Sequence, residues 1–138
     1  MAARYLADKS ALARLRHATV DRRLTPLLLA GDVATCGVVD LELLYSARTA
    51  ADLRQILAER RTLPSVAMDQ ADFDRAAEVM GRLAAKGRHR AAGIPDLLIA
   101  AAAERAKLCL LHYDHDFDVI ATVTGQRTEW IVPRGSVA

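Results

Sequence analysis

Short apolar runs alternate along the chain with longer stretches in which apolar residues recur at helical spacing. The short runs predict strands at residues 4–7, 33–36, 63–68, 108–112 and 129–132. The longer stretches predict helices at residues 20–29, 38–47, 49–61, 69–86, 95–106 and 114–124, and a further helix follows the first strand. Strands that alternate with helices in this way are typical of a parallel sheet covered on both faces, so the pattern predicts an α/β protein.

Apolar stripes along these helices indicate which faces should be buried. The stripe of the helix at 38–47 contains Leu41, Leu44 and Tyr45. The stripe of the long helix at 69–86 consists of Phe73, Ala76, Ala77, Met80 and Leu83. The helix at 95–106 is apolar on every side over residues 97–103, which predicts that it is buried most deeply.

The composition fits one globular domain. The chain has 138 residues, and we expect a single domain over 1–138 with a flexible tail at 133–138. A chain of this length buries roughly two-thirds of its unfolded surface, which is enough for a core without disulfides or metals as staples. Aromatic residues make up only 4% of the chain, which argues against an all-β sandwich.

The net charge, the positions of the cysteines and the lengths of the apolar runs indicate where in the cell the protein is expected and what it contacts. The net charge of +2 is too small to indicate a nucleic-acid binder by itself. Cys36 and Cys109 lie in or beside apolar segments and are expected to be buried thiols, although the sequence leaves a disulfide open. The apolar run at 27–30 is too short to cross a membrane, and we see no signal peptide. We therefore expect a soluble, cytoplasmic protein without membrane contact.

Five acidic residues stand where helices begin or beside apolar strands: Asp8, Glu42, Asp96, Asp114 and Asp116. Asp8 follows the first predicted strand, and Asp114 and Asp116 follow the fourth. If these two strands are neighbours, their carboxyl ends bring the three side chains together at the crevice where open α/β sheets bind ligands. Clustered carboxylates repel one another unless a cation neutralises them. Oxygen ligands favour Mg²⁺ or Mn²⁺ over zinc, so the pattern predicts such a metal site.

Each acid also has an ordinary interpretation. Asp8, Asp96 and Asp114 could cap helices, Asp116 could be a first-turn acid, and Glu42 could be an exposed helix residue. Capping does not require acids placed both before a fully apolar helix and after a buried strand. The joint arrangement therefore favours a shared site.

Each of three polar residues near these acids in the sequence has two possible roles. Ser10 could support the site through its hydroxyl or could cap a helix, and we prefer the first role. Lys9 could reduce the negative charge of the cluster or point to solvent. His112 is expected to be a structural polar residue rather than a zinc ligand, because no third histidine stands near it in the sequence.

Taken together, these segments resemble the PIN domain, and more closely the toxin ribonucleases of the VapC type. The resemblance runs over nearly the whole chain. Its motifs are Asp8 with Ser10 after the first strand, Glu-Leu-Leu-Tyr at 42–45, Asp-x-Leu-Ile-Ala-Ala at 96–101, and Leu-Leu-x-x-Asp-x-Asp-Phe at 110–117. None is specific alone, but the set in this order is fairly specific. Lys9 stands where a small hydroxyl or amide residue is more usual, and His112 where Thr is common.

The resemblance implies a three-layer α/β/α sandwich with a five-stranded, mainly parallel sheet. It implies an endoribonuclease toxin of a type II toxin–antitoxin system that depends on Mg²⁺ or Mn²⁺ and cleaves tRNA or another structured RNA. It also implies a homodimer, or a larger toxin–antitoxin assembly, inhibited by a cognate VapB-type antitoxin. Carried over by position, the catalytic and metal-binding residues are Asp8, Glu42, Asp96, Asp114 and Asp116.

Phosphodiester hydrolysis by such a site needs an activated water and charge neutralisation on the phosphate. We predict Asp116 as the general base, and we expect Arg88 and Arg90 to hold the RNA backbone. Two other classes stay open. One is a Mg²⁺-dependent phosphatase that uses Asp114 and Asp116 as an Asp-x-Asp pair, and the other is an RNA- or protein-binding module without catalysis.

Overall fold

The computed structural model describes residues 2–138, which form five strands and seven helices. The strands are β1 (Tyr5–Ala7), β2 (Val33–Cys36), β3 (Ser65–Val66), β4 (Cys109–His112) and β5 (Thr128–Trp130). The helices are α1 (Lys9–Leu12), α2 (Ala18–Leu29), α3 (Gly37–Tyr45), α4 (Ala50–Arg60), α5 (Gln70–Ala84), α6 (Ile94–Arg105) and α7 (Asp116–Thr124). All the predicted elements are present, with ends that differ by a few residues.

The strands form one parallel sheet in the order β3-β2-β1-β4-β5. The central strand is β1, whose Leu6 pairs with Ala34 of β2 on one side and with Leu110 of β4 on the other. The chain thus winds outward in opposite directions from β1, and the ligand crevice of an open α/β sheet lies at such a reversal. The predicted α/β/α sandwich with a five-stranded parallel sheet is confirmed.

The core lies on both faces of the three central strands. Leu6, Val33, Leu110 and Leu111 are fully buried. As predicted from its apolar sequence, α6 is deeply buried, and Ile99 is entirely inaccessible to solvent. Pro95 occupies the first turn of α6, where a missing N–H removes no helical hydrogen bond.

Two of the predicted stripes are wrong in part. The buried line of α5 runs through Asp72, Ala76, Val79 and Leu83, whereas Phe73 is 53% exposed. On α3, Leu41 is 67% exposed and Tyr45 is 91% exposed, although they were expected on a buried face. These apolar side chains have no covering element in the described part of the chain.

The segment after β5 lies against the fold. The hydroxyl of Tyr113 accepts hydrogen bonds from the backbone N–H groups of Gly135 (2.8 Å) and Val137 (3.2 Å) and donates one to the carbonyl of Val137 (2.9 Å). Cys36 and Cys109 are buried and free, as predicted. Among residues 2–138, no helix has the length and apolar character needed to span a bilayer.

Candidate metal centre

The carboxyl ends of β1 and β4 bring the predicted acids together. Asp8 directly follows β1, Asp114 follows β4, and Asp116 is the first residue of α7. Asp96 lies in the first turn of α6, and Glu42 projects from α3. Oxygens of Asp8, Glu42 and Asp96 lie within 4.8 Å of one another, and so do oxygens of Asp96, Asp114 and Asp116. Asp96 belongs to both groups and therefore joins them.

Asp8 is held rigidly and leaves one oxygen free. Its side chain is only 3% exposed, and Oδ2 caps α1 by accepting the backbone N–H of Ser10 at 2.9 Å. Its backbone N–H donates to the carbonyl of Leu111 in β4 at 2.9 Å, which ties the residue to the neighbouring strand. Oδ1 is buried and has no hydrogen-bond partner among residues 2–138. Burial raises the pKa of the Asp8 carboxyl, against the opposing effect of its hydrogen bonds with Ser10.

Asp96 and Asp116 face each other across the start of two helices. Burial, and then the hydrogen bond to Asp116 and the negative charges of Asp8 and Asp114, raise the pKa of Asp96 to about 9. Oδ2 of Asp116 also accepts the backbone N–H of Gly93 at 3.1 Å, which fixes its orientation. Asp96 therefore retains its proton at neutral pH in the metal-free protein.

Asp114 is positioned by a turn between β4 and α7. Its Oδ1 accepts the backbone N–H of Asp116 at 2.9 Å, and its own N–H donates to Nδ1 of His112 at 3.1 Å. His112 is completely buried, and this burial lowers its pKa to about 4, so the ring is neutral. Its position away from the crevice agrees with the predicted structural role.

Four of the acids line a cleft of about 370 Å³, namely Asp8, Glu42, Asp96 and Asp114, together with Lys9, Ser10, Ala13, Arg14 and Pro95. Burial and the charge of Asp8 raise the pKa of Glu42, while Lys9 opposes this effect. Lys9 thus reduces the negative charge at one rim of the cleft, which is one of its two predicted roles. No salt bridge pairs any of the five acids within the described residues, so their charge is left for a cation to balance.

The donor set fits a hard divalent cation. All candidate ligands are carboxylate oxygens, and the unpartnered Oδ1 of Asp8 is a buried acceptor suited to a metal ligand. The hydroxyl of Ser10 accepts the backbone N–H of Tyr113 at 2.8 Å, so Ser10 connects the loop after β4 to Asp8. Arg88 and Arg90 are exposed between α5 and α6, and neither is among the described residues that line the cleft.

Two residues at the site were not singled out by the sequence. Arg14 lines the cleft, donates to the carbonyl of Ser10 at 2.8 Å, and lies 4.5 Å from the ring centre of Tyr113. Its position one helical turn after Ser10 is the only sequence signal that could have indicated it. Gly93 holds Asp116 through its backbone, and no sequence pattern indicates such a contact between distant segments.

Comparison with known proteins agrees with this geometry. Residues 5–123 match the PIN domain. The chain is 42% identical over 137 residues to Ribonuclease VapC51 of Mycobacterium tuberculosis, covering 99% of both chains. It is 44% identical over 137 residues to Ribonuclease VapC21 of the same species, again covering 99% of both.

Solved structures share the fold. The toxin-antitoxin structure of DNA-bound VapBC from Salmonella typhimurium contains a chain with a TM-score of 0.75 and 19% identity, covering 96% of this chain and 100% of that one. A chain of VapBC-5 from Mycobacterium tuberculosis has a TM-score of 0.63 and 26% identity, covering 92% of this chain and 98% of that one. With the acid cleft at the carboxyl ends of β1 and β4, these matches lead to one conclusion: the chain belongs to the PIN-domain family, and within it to the VapC ribonucleases.

Proposed function

We propose that this protein is the toxin of a type II toxin–antitoxin pair, an endoribonuclease that depends on Mg²⁺ or Mn²⁺ and hydrolyses phosphodiester bonds in tRNA or another structured RNA. The observation that supports this most strongly is the convergence of acids from four separate elements on one cleft, where none of them forms a salt bridge with another described residue. RNA as the substrate would place the protein in the cytoplasm.

Asp8, Glu42, Asp96 and Asp114 would hold the cation, with Asp96 shared between the two groups, and Asp116 beside Asp96 would be left free for another role. A bound divalent cation would neutralise these carboxylates, polarise the phosphate and make a water more acidic. Asp8 and Asp114 are oriented by backbone N–H groups, so they enter the reaction without having to reorganise.

Asp116 is our candidate for the general base. Its carboxylate is fixed by the N–H of Gly93 and lies beside Asp96, whose proton a bound cation would displace. A fixed carboxylate at the edge of the cleft could accept a proton from the attacking water. Lys9 and Arg14, rather than Arg88 and Arg90, are the basic residues that line the cleft, so we expect them to contact the phosphates nearest the cut.

An antitoxin of the VapB type is the partner we propose. A chiefly apolar cleft of about 340 Å³ adjoins the acids and is lined by Lys9, Val38, Leu41, Glu42, Tyr45 and Pro95. The exposed Leu41 and Tyr45 are suited to a partner segment, and an exposed apolar patch beside an active site is typical of an inhibitor surface. We also propose that the protein forms a homodimer.

The test is Asp96→Asn. Parent and variant proteins, free of antitoxin, would be incubated with bulk tRNA and Mg²⁺ or Mn²⁺, and the RNA ends mapped. We expect the parent to cut and the variant to lose about 100-fold or more of the rate, because a ligand common to both groups is gone. The exposed Glu59→Gln variant is a matched control and should cut like the parent.

A folded Asp96→Asn protein that cleaved RNA at the parent rate would contradict the mechanism. Hydrolysis of a generic aryl phosphate, without RNA cleavage, would instead support the phosphatase alternative. RNA binding without cleavage in either metal would support the binding module.

A further inference from the structure

A second recess adjoins the acid cleft. Its volume is about 410 Å³, and it shares Arg14 and Asp114 with the cleft. The rest of its wall consists of Tyr113, His115, Trp130, Arg134, Gly135, Val137 and Ala138. A molecule bound in the cleft could therefore continue into the recess without leaving the protein surface.

Aromatic rings form the floor of this recess. Trp130 is half-buried, and its ring centre lies 5.3 Å from that of Tyr113 in an edge-to-face arrangement. The indole N–H donates to the carboxylate of Asp118 at 3.1 Å, which fixes the ring plane. His112 supports Trp130 from the interior at 5.0 Å between ring centres. The indole is therefore held in place but keeps an accessible part.

Cations stand above these rings. The guanidinium of Arg134 lies 5.6 Å from the centre of the Trp130 ring and 3.2 Å from Nδ1 of His115. Arg14 lies above Tyr113 at the boundary with the acid cleft. Arginine and aromatic side chains at close range are the surfaces on which unpaired bases stack, and the charges suit the phosphates between them.

We propose that the recess is a nucleotide subsite, in which an unpaired base next to the scissile phosphate stacks on Trp130 and Arg134 while Arg14 contacts the intervening phosphate. This inference rests on the proposed ribonuclease function. It assigns recognition of single-stranded RNA to the end of β5 and the segment after it, because no aromatic side chain of residues 2–138 lines the acid cleft itself.

The fluorescence of Trp130 gives a direct test, because it is the single tryptophan of the chain. A short oligoadenylate would be titrated into the protein in the presence of EDTA, which prevents cleavage. We expect saturable quenching, and much weaker quenching by an abasic oligomer of the same charge. Absence of quenching, or equal quenching by the abasic oligomer or by polyglutamate, would overturn the proposal, since the recess would then not recognise a base.

A charge-matched pair of variants provides the second test. Arg134 and Arg127 are both exposed and flank β5 at its carboxyl and amino sides, but Arg127 lines a different cavity, on the side where β5 begins. We expect Arg134→Gln to raise the KM for RNA roughly tenfold with little change in kcat, because it removes a stacking partner. Arg127→Gln should stay within about twofold of the parent.

Equal effects of the two variants on KM would show a general charge effect and would contradict the subsite. These tests distinguish a failure of the proposed subsite from a failure of the proposed ribonuclease function. Quenching is read without catalysis, whereas a parent protein that cuts no RNA in Mg²⁺ or Mn²⁺ would refute the ribonuclease and leave the quenching result to decide the subsite alone.

Discussion

Asp96 is the residue on which the electrostatics of the cleft converge. Its pKa of about 9 lies well above the ordinary value for an aspartate, because it is buried and faces Asp116, Asp8 and Asp114. Between these two values the folded chain keeps a proton that the unfolded chain has lost. The free energy of unfolding of the metal-free protein should therefore fall as pH rises through that interval.

Asp96→Asn should remove this pH dependence. Near neutral pH the carboxyl of Asp96 must take up a proton when the chain folds, whereas the amide does not, so the variant should melt at a higher temperature than the parent. Thermal melting in EDTA at about pH 5 and about pH 8 measures the effect. The Tm of the parent should fall between the two conditions by more than that of the variant, with Glu59→Gln behaving like the parent. Identical slopes for parent and Asp96→Asn would contradict the assignment.

The acids were predictable one by one because each has a local signature. Asp8 and Asp114 follow buried strands, and Asp96 precedes an apolar helix. Arg14 was not predictable as part of the site, because its Nε donates to the carbonyl of Ala138 at the other end of the sequence. A contact of this kind depends on the tertiary fold and leaves no periodicity in the sequence.

At the level of elements, α5 and α6 are joined by a buried carboxylate. Asp72 is 1% exposed, accepts the N–H of Asp69 in a capping box, and receives two hydrogen bonds from Arg105 at 2.8 and 2.9 Å. The hydrogen bonds from Arg105 lower the pKa of Asp72, against the opposing effect of burial. The pairing of Asp72 with Arg105 explains why the buried stripe of α5 contains Asp72 instead of the predicted Phe73. Hydrophobicity favoured Phe73 for the interior, whereas the ion pair allows Asp72 to be buried instead.

Asp72→Ala should destabilise the protein by about 2 kcal/mol, because it removes a helix cap and leaves Arg105 without its partner. For a chain of this size the Tm should fall by roughly 6–8 °C. Asp74→Ala changes an exposed acid on the same helix and should have little effect. The contribution of Asp72 is present above the ordinary aspartate pKa and is lost in acid, so the two variants should converge towards low pH. Equal loss of Tm in both variants at neutral pH would contradict the role of the ion pair.

At the scale of the whole molecule, the acid cleft is a source of instability that a cation would relieve. The central pairing of β1 with β4 forces Asp8 and Asp114 together whether or not metal is present. The sequence predicted the strands and hence this convergence. It did not predict that Leu41 and Tyr45 are exposed, because helical periodicity marks an apolar face but does not show whether another element of the described residues covers it.

Metal should therefore raise the melting temperature. At a concentration about 100 times the dissociation constant, Mn²⁺ or Mg²⁺ should add about 2.7 kcal/mol to the free energy of unfolding. This corresponds to a rise in Tm of roughly 10 °C, measured by calorimetry with and without EDTA. Asp8→Asn removes the buried free oxygen and should abolish most of the rise. If parent and variant responded equally to the metal, it would bind elsewhere on the protein.

The central position of β1 in the sheet also affects how the protein folds during translation. Leu6 is translated well before its partner Leu110 in β4. A nascent chain carries Asp8 and Glu42 but cannot assemble the centre until β4 and α7 have left the ribosome. Prematurely terminated translation products should therefore be harmless to the cell that makes them.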